Sequence, residues 1–444
     1  MDVLASNTSS KRDSFYSCYS RWLVLVTAIS ALLLTLTPFP ALPIESPIHF
    51  TDVTDVAGIY FKHADGAAGE FHLPETLGAG GAFLDYDNDG DLDLYLVNSA
   101  APSMLYRNNG NGTFTDITPS AGIDNQGSYG HGVACGDYDN DGYVDIYVTN
   151  FGANRLYHNN GDTPNYLFYN KGDGTFAEIA ILTGCAYSAD GIAQAGMGVD
   201  AGDYNGDGFL DLFVTNFSYE TNTLYRNNGD GTFTDVSYKA QLGEESYLSL
   251  GFGTGFFDAD NDGHLDIFVA NGHIFPTVEQ TTDVLSYRQP NQLFWNQGDA
   301  TFAEVRFDDR PAVSRGTLFG DYDNDGDTDL LVTQLNGTVT LLRNESQTSN
   351  HWLRVKLIGT RSNRDGIGAR ITLTIGSESQ TREVRMGSSY LSSNDPRVLL
   401  GVGEQDVVDK LEIRWQSGVV QVLENLTVNQ ELVVTEPLSE VKVK

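Results

Sequence analysis

Five times in this chain a short apolar run leads into Asp-x-Asp/Asn-x-Asp-Gly-x-x-Asp and out into a second apolar run. The first copy, GGAFLDYDNDGDLDLYLVN from Gly80 to Asn98, holds Asp85, Asp87, Asp89, Asp91 and Asp93 around Gly90. The others are Asp137, Asp139, Asp141 and Asp145; Asp203, Asn205, Asp207 and Asp211; Asp258, Asp260, Asp262 and Asp266; and Asp321, Asp323, Asp325, Asp327 and Asp329. Alternating carboxylates with a glycine at the sharp turn suit a Ca²⁺ ion, which takes several hard oxygen ligands in a flexible geometry. Asp, Asn and Gly also make ordinary solvated turns, but five copies in register are a design. These residues are the candidate ligands, for about five ions at one per loop.

A helix–loop–helix calcium site places a Glu at the twelfth position of its loop. Here that position is Leu96, Val148, Val214, Val269 or Val332, already inside the next run, and two places on stands Asn98, Asn150, Asn216, Asn271 or Gln334. The sites are therefore expected between two strands. A second signature follows the metal loops: LYRNNGNGTFTDIT (Leu105–Thr118), LYRNNGDGTFTDVS (Leu224–Ser237) and LFWNQGDATFAEV (Leu293–Val305). Two short strands around such a turn read as a hairpin. Each repeat then supplies four strands, and repeats of this length and content predict an all-β protein built as a β-propeller.

The ends of the array bear on closure. The fifth loop is followed by LLRNES (Leu341–Ser346) without an outer strand, while the array opens on HFTDV (His49–Val53), an outer strand without a metal loop. The two are expected to pair, which would protect both edges. Phe50, Phe114, Phe176, Phe233 and Phe302 mark five outer strands for five loops. One seam opposes closure: LYHNNG (Leu156–Gly161) is followed at once by LFYNKGDGTF (Leu167–Phe176), as though whole repeats were missing between Asn160 and Asn165.

Residues 1–42 carry Lys11, Arg12 and Arg21 ahead of an apolar run from Trp22 to Leu36, the plan of an export signal. The run is short for a membrane span and TPFPALP lacks a clean cleavage site, so signal peptide and N-terminal anchor both stand. Either predicts export to the outside, the periplasm or the cell surface, where calcium is plentiful enough for weak sites. The formal net charge of −34 excludes nucleic acid and anionic membrane surfaces as partners, leaving a membrane contact only through that anchor. The five loops hold about a third of the 60 acidic side chains. Cysteine is scarce: Cys18 precedes the apolar run, leaving Cys135 and Cys185, and no CxxC occurs, so no zinc site or disulfide framework is indicated. Cys135 is expected to be a buried small hydrophobe.

After the array, 48–347, the pattern changes. Residues 351–436 hold seven short β-rich runs (WLRVKLIG, ARITLTIG, TREVRMG, RVLLGVG, KLEIRW, VVQVLENL and ELVVTE), and 437–444 form a tail. Seven strands in so short a span predict a small β-sandwich-like domain. Its loop SNRDGIGAR (Ser362–Arg370) is expected to be a solvated turn.

The loops and N-x-G-D-G-T-F hairpins resemble FG-GAP/VCBS repeats, as in the integrin α-chain propeller. HWLRVKLIGTRSNRDGIGARI, GSSYLSSND and KLEIRWQSG are similar to the ASPIC/UnbV domain of cartilage acidic protein-like proteins. The resemblance implies an exported calcium-binding propeller of about seven repeats, where this chain has five, followed by a β-rich module. It carries the ligand role onto the loop residues named above.

Two functions follow. As a binding or adhesion module, the protein would present loops on a rigid scaffold to a protein or carbohydrate ligand, with calcium mainly structural. As an enzyme, a hydrolase or oxidoreductase, its best candidate site is His63, His72 and Glu75 in FKHADGAAGEFHLPET. No GxSxG, HExxH or Cys–His spacing accompanies them, so the binding reading leads.

Overall fold

The computed structural model describes residues 48–67, 73–85, 90–121, 124–125, 129–136, 145–150, 167–170, 176–307 and 310–438. From Ser46 onward the chain is one compact unit, all-β apart from a few single-turn helices. The seam between Asn160 and Asn165 lies outside the described residues.

Strand β1 (Phe50–Asp52) comes first. The first repeat gives β2 (Gly81–Leu84), β3 (Asp93–Leu96), β4 (Met104–Asn108) and β5 (Phe114–Asp116), an antiparallel meander in chain order. The second gives two two-stranded pieces, β6 (Gly130–Gly136) with β7 (Asp145–Asn150) and β8 (Phe168–Asn170) with β9 (Phe176–Glu178). The third runs β10 (Val199–Gly202), β11 (Asp211–Val214), β12 (Thr223–Asn227) and β13 (Phe233–Asp235). The fourth runs β14 (Gly251–Phe257), β15 (Asp266–Asn271), β16 (Gln292–Asn296) and β17 (Phe302–Val305).

The fifth has only three strands of its own, β18 (Ser314–Gly320), β19 (Asp329–Gln334) and β20 (Thr340–Asn344). Its fourth is β1: Phe50 pairs Asn344, Thr51 pairs Arg343 and Asp52 pairs Leu342. The pairing expected of the HFTDV strand is present. Phe50 buries its ring against Phe257 and Phe307, so the apolar face of a distant segment supplies the outer wall of this sheet.

Neighbouring repeats are joined by two recurring devices. The Asn that ends the third strand sends its amide into the next repeat: Asn108 Nδ2 donates to Tyr322 O at 2.8 Å, Asn296 Nδ2 to Tyr204 O at 2.9 Å and Asn344 Nδ2 to Ala259 O at 2.8 Å. The corresponding Asn227 reaches its own loop, at Leu210 O. Aromatic pairs run the same way, Tyr322 on Phe114 and Tyr204 on Phe302, both at 5.7 Å. Repeats three, four, five and one thus follow one another in space, fixed by a buried amide and apolar contact at each step.

The C-terminal part forms two sheets around its own core. Strands β21 (His351–Ile358), β22 (Arg370–Ile375), β23 (Glu378–Glu383), β24 (Gly387–Ser388), β25 (Ser392–Ser393), β26 (Val398–Gly403), β27 (Val407–Arg414), β28 (Val420–Thr427) and β29 (Gln430–Thr435) follow in order. One sheet is β26-β21-β29, the other β23-β22-β27-β28. Their inner faces meet through Leu353, Val355, Ile371, Leu373, Leu411 and Ile413. These are the seven strands expected from the seven β-rich runs; the short β24 and β25 leave them and join the first repeat instead.

Candidate metal centre

Each metal loop crosses between the first two strands of its repeat, and its turn is set by backbone requirements. Gly90, Gly208, Gly263 and Gly326 at position six have φ of 96°, 86°, 96° and 98°, a region that suits glycine. Position four is also left-handed, at Gly206, Asn261 and Asn324; Asn tolerates it best among residues with a Cβ. The Gly N–H donates to the first Asp at 3.2 Å in Asp85, 2.9 Å in Asp203, 2.9 Å in Asp258 and 3.0 Å in Asp321. The second oxygen of Asp203 and of Asp321 accepts the N–H of Asp207 and Asp325, at 3.0 and 3.1 Å, whereas that of Asp85 and Asp258 has no such bond.

Carboxylate oxygens of Asp258, Asp260 and Asp262 come within 4.8 Å of one another, as do those of Asp321, Asp323 and Asp325. Asp85 Oδ1, Asp258 Oδ1 and Asp323 Oδ1 are buried without a hydrogen-bond partner. Burial drives the Asp258 carboxyl well above its ordinary range, with Asp262 and Asp260 adding to it. Burial likewise lifts Asp260 and Asp321 to about 6. Bare oxygens crowded this closely repel when ionised, and a divalent cation removes that cost. The donor set is all hard oxygen, so the residues present fit Ca²⁺.

Not every candidate sits alike. Asp93, Asp211, Asp266 and Asp329, at position nine, are essentially unexposed. Each accepts a backbone N–H from the hairpin: Asn108 at 2.8 Å, and Asn227, Asn296 and Asn344 at 2.7 Å. They fasten the third strand to the metal loop, whatever else they bind. Asp327 accepts from Asn261 Nδ2 at 2.7 Å and Asp91 from Asn324 Nδ2 at 2.8 Å, so position seven ties one loop to the next. In the third loop Asn205 Nδ2 donates to Asp207 at 3.1 Å, consistent with a neutral ligand position. Asp87, Asp89, Asp137, Asp139, Asp141 and His72 lie outside the described residues, and Asp145 is described through its backbone.

The loops are covered by cations of the C-terminal part. Arg354 pairs with Asp321 and, at 2.8 Å, with Glu431. Lys356 stands 3.3 Å from Asp85, Arg385 is 2.8 Å from Asp200, and Arg382 donates to the Gly263 carbonyl at 3.3 Å. Arg397 donates to Asp321 O and to Asn324 Oδ1, both at 2.8 Å. The SNRDGIGAR loop is not a solvated turn: Arg370 bonds the Gly208 carbonyl and Ile367 packs on the first repeat's core. Its charges point at a folded surface that periodicity alone does not show.

Between β23 and β26, the GSSYLSSND stretch leaves the module and meets the first strand of all five repeats. Ser393 pairs Ala82 in parallel, and Val133 N donates to Leu391 O at 3.4 Å. Ser389 and Val199 exchange backbone bonds, and Thr254 N donates to Ser389 Oγ at 3.0 Å. Phe319 N donates to Asn394 Oδ1 at 3.1 Å. A Cβ on Gly80 would stand 1.7 Å from Leu391 O, so only glycine admits the segment there. Tyr390 meets Phe252 edge-on at 5.0 Å, and the Arg315 guanidinium lies 4.0 Å from the centroid of the same Phe252 ring. Arg315 is fully buried and gives its N–H groups to the carbonyls of Thr76, Gly272, Ser314 and His273. Neither the segment's role nor that of Arg315 follows from the repeat pattern. The signal available was a polar Gly/Ser run inside an otherwise apolar module.

His63 is 2% exposed. Ser99 gives its hydroxyl hydrogen to Gly130 O, so the 3.0 Å contact to Ser99 Oγ is a donation from Nε2–H. Nδ1 accepts from Asn336 N at 3.4 Å. Burial lowers its pKa to about 4, opposed by Asp65 and helped by Arg315 and His131. His63 is a neutral residue bracing the first repeat against the fifth; Glu75 lies on a single helical turn, Leu73–Leu77. Cys185 is buried, with its Sγ 3.4 Å from Thr183 Oγ1.

With this geometry in view, the matches to known proteins fall into place. Residues 85–148, 137–214 and 203–269 match the FG-GAP-like repeat, and 359–441 match the ASPIC and UnbV domain. The chain is an FG-GAP-repeat protein with a C-terminal ASPIC/UnbV domain. It is related to Cartilage acidic protein 1: 28% identical over 62% of this chain to that of Xenopus tropicalis, and 27% over 76% to that of Homo sapiens. It spans 41% and 50% of those relatives' lengths. Among solved structures, an Agrocybe aegerita lectin described as recognising non-reducing terminal N-acetylglucosamine is 19% identical. That likeness covers 59% of this chain and 64% of that one, at a TM-score of 0.24, and carries no argument. Among the described residues no helix is long and apolar enough to cross a membrane.

Proposed function

We propose that this chain is an exported five-bladed β-propeller, held together by calcium, that works as an interaction module for a protein or carbohydrate ligand. The observation that carries the reading is the GSSYLSSND segment: a stretch this short touches five first strands only if they surround it. Strand β1 completing the fifth sheet, and Asn108 reaching Tyr322, support closure from the first repeat to the fifth. The orphaned oxygens in the loops support calcium, and the ion's work there is to let crowded carboxylates stay ionised while clamping two strands.

The metal loops lie under the cationic C-terminal part, so a ligand meets the other face. Antiparallel strands alternate direction, which puts the loops between second and third strands at the end away from the metal. There Tyr219, Tyr247 and Phe275 stand exposed. His63 has both ring nitrogens engaged in holding repeats together, which supports binding over catalysis. The apolar run after Arg21 supports export, as does the need of weak sites for abundant calcium.

Calcium content by elemental analysis of the purified chain tests the metal reading, with about one ion per loop expected. Retention of a partner from native surroundings in calcium, and its release in chelator, tests the module. A chain that retains nothing in either buffer overturns the interaction role, and one that carries no calcium overturns the metal role.

A further inference from the structure

On the third repeat, away from the metal loops, a cleft of about 290 Å³ is lined by Asp190, Ile192, Gln194, Tyr219, Glu220, Asp235, Tyr238 and Tyr247, with Ser188, Ala189 and Thr221. No Lys, Arg or His is among its lining residues. Tyr219, Tyr238 and Tyr247 are 48%, 59% and 42% exposed, unusual for three large rings around one hollow. We propose that this cleft binds a cationic side chain, Lys or Arg, of a basic peptide segment in a partner protein.

The chemistry rests on two independent features. Aromatic faces attract cations through the ring quadrupole, and three rings stand here. Three carboxylates stand with them: Asp190 is exposed, while Asp235 and Glu220 each accept backbone N–H groups, Asp235 from Ala189 at 2.7 Å and Glu220 from Ala195 at 2.9 Å. Those bonds fix the two carboxylates in place, with lone pairs to spare. An anion would be repelled by the three carboxylates. The chain's net charge of −34 adds long-range attraction for a basic partner.

The site is also built in advance. Tyr219 has φ of 69°, a left-handed conformation that a bulky residue holds only when its surroundings impose it. The imposing contacts are its N–H to Tyr247 O at 2.7 Å and the edge-on packing of the two rings at 5.9 Å. A loop that stores strain to hold two rings open gains when a ligand covers them, because little freedom remains to be lost on binding.

The inference deepens the interaction-module reading and rests on it. The test uses the full chain in calcium, a labelled lysine-rich peptide, and the same peptide with its lysines acetylated. Tyr219→Asn combined with Tyr247→Ala leaves the net charge unchanged, and Asn tolerates the left-handed backbone. This pair is expected to weaken peptide binding at least tenfold, and Asp190→Asn severalfold. The acetylated peptide should fail to bind. Tyr238→Ala, on an exposed ring, serves as a second variant should the pair disturb folding. The assignment is overturned if the peptide binds all variants as it binds the native chain. It is equally overturned if the acetylated peptide binds as well, or if a neutral oligosaccharide binds in a way the same variants abolish. Loss of the broader module reading would look different: native chain that retains no partner, with the cleft's peptide binding intact.

Discussion

Replacing Asn108 by Ala tests whether the first repeat is truly fastened to the fifth. Asn108 is 2% exposed. Its amide donates to Leu92 O at 3.0 Å and Tyr322 O at 2.8 Å, and its carbonyl accepts Gly110 N at 3.0 Å. Truncation strips a donor from two buried carbonyls and an acceptor from the turn. At about 1 kcal/mol for each bond lost where water does not readily replace it, the loss is about 3 kcal/mol. Asn109, next along the chain, makes its bonds to Thr113 and Thr115 in the open, where water substitutes, and Asn109→Ala should cost about 0.5 kcal/mol or less. Asn227→Ala should fall between, because its amide makes one such bond, to Leu210 O at 3.1 Å. Urea unfolding in saturating calcium, compared by midpoint at constant slope, measures all three. If Asn108→Ala and Asn109→Ala unfold within about 0.5 kcal/mol of each other, the amide is not a fastener and the argument for repeat-to-repeat locking fails.

Three further outcomes are expected. Excess EDTA should lower the melting temperature substantially, since the loops would then hold mutually repelling or protonated carboxylates; an unchanged melt refutes the calcium reading. Deleting residues 1–54 removes β1 and its buried Phe50, and should open the Thr340–Asn344 strand to limited proteolysis while the native chain resists. Glu436→Gln should destabilise the protein at neutral pH. Burial alone would raise this carboxyl, but bonds from the Ser417 hydroxyl and the N–H groups of Ser362, Arg361 and Thr360 hold it at about 2. A depressed acid stabilises above its unfolded value of 4.5 and loses that contribution as pH falls toward 2. The gap between native and variant, read by denaturant midpoint, should therefore close over that interval; a gap constant with pH counts against it.

The sequence told most where one repeat could be laid on another. The meanders, the missing fourth strand of the fifth repeat and its supply by HFTDV all follow from counting Phe-marked strands against metal loops. The seven strands after His351 follow from β-rich runs broken by turn residues. What stayed hidden was contact between repeats and module. Asp93 and its counterparts look like further ligands, yet their first visible task is to hold Asn108 and its counterparts. The Asn at position four looks like a spacer, yet Asn261 and Asn324 bond the next loop. Arg354, Arg382 and Lys356 read as alternating surface charges of strands. They meet Asp321, the Gly263 carbonyl and Asp85 only because two sheets hold them over these loops, and no local period encodes that.

The two closures have a consequence for timing. Thr51 donates to Glu345 at 2.9 Å across 294 positions, and the Tyr390 hydroxyl to Leu77 O at 3.4 Å across 313. At synthesis rates of 5–20 residues per second, the inner edge of the first repeat waits about 15–60 s for the segment that covers it. During that interval β2 presents an open edge of the kind that invites pairing with another chain, and contacts this distant make folding slow in itself. The five carboxylates of the first loop follow that strand directly in sequence. Their repulsion, a cost in the finished protein, keeps two unfinished copies apart.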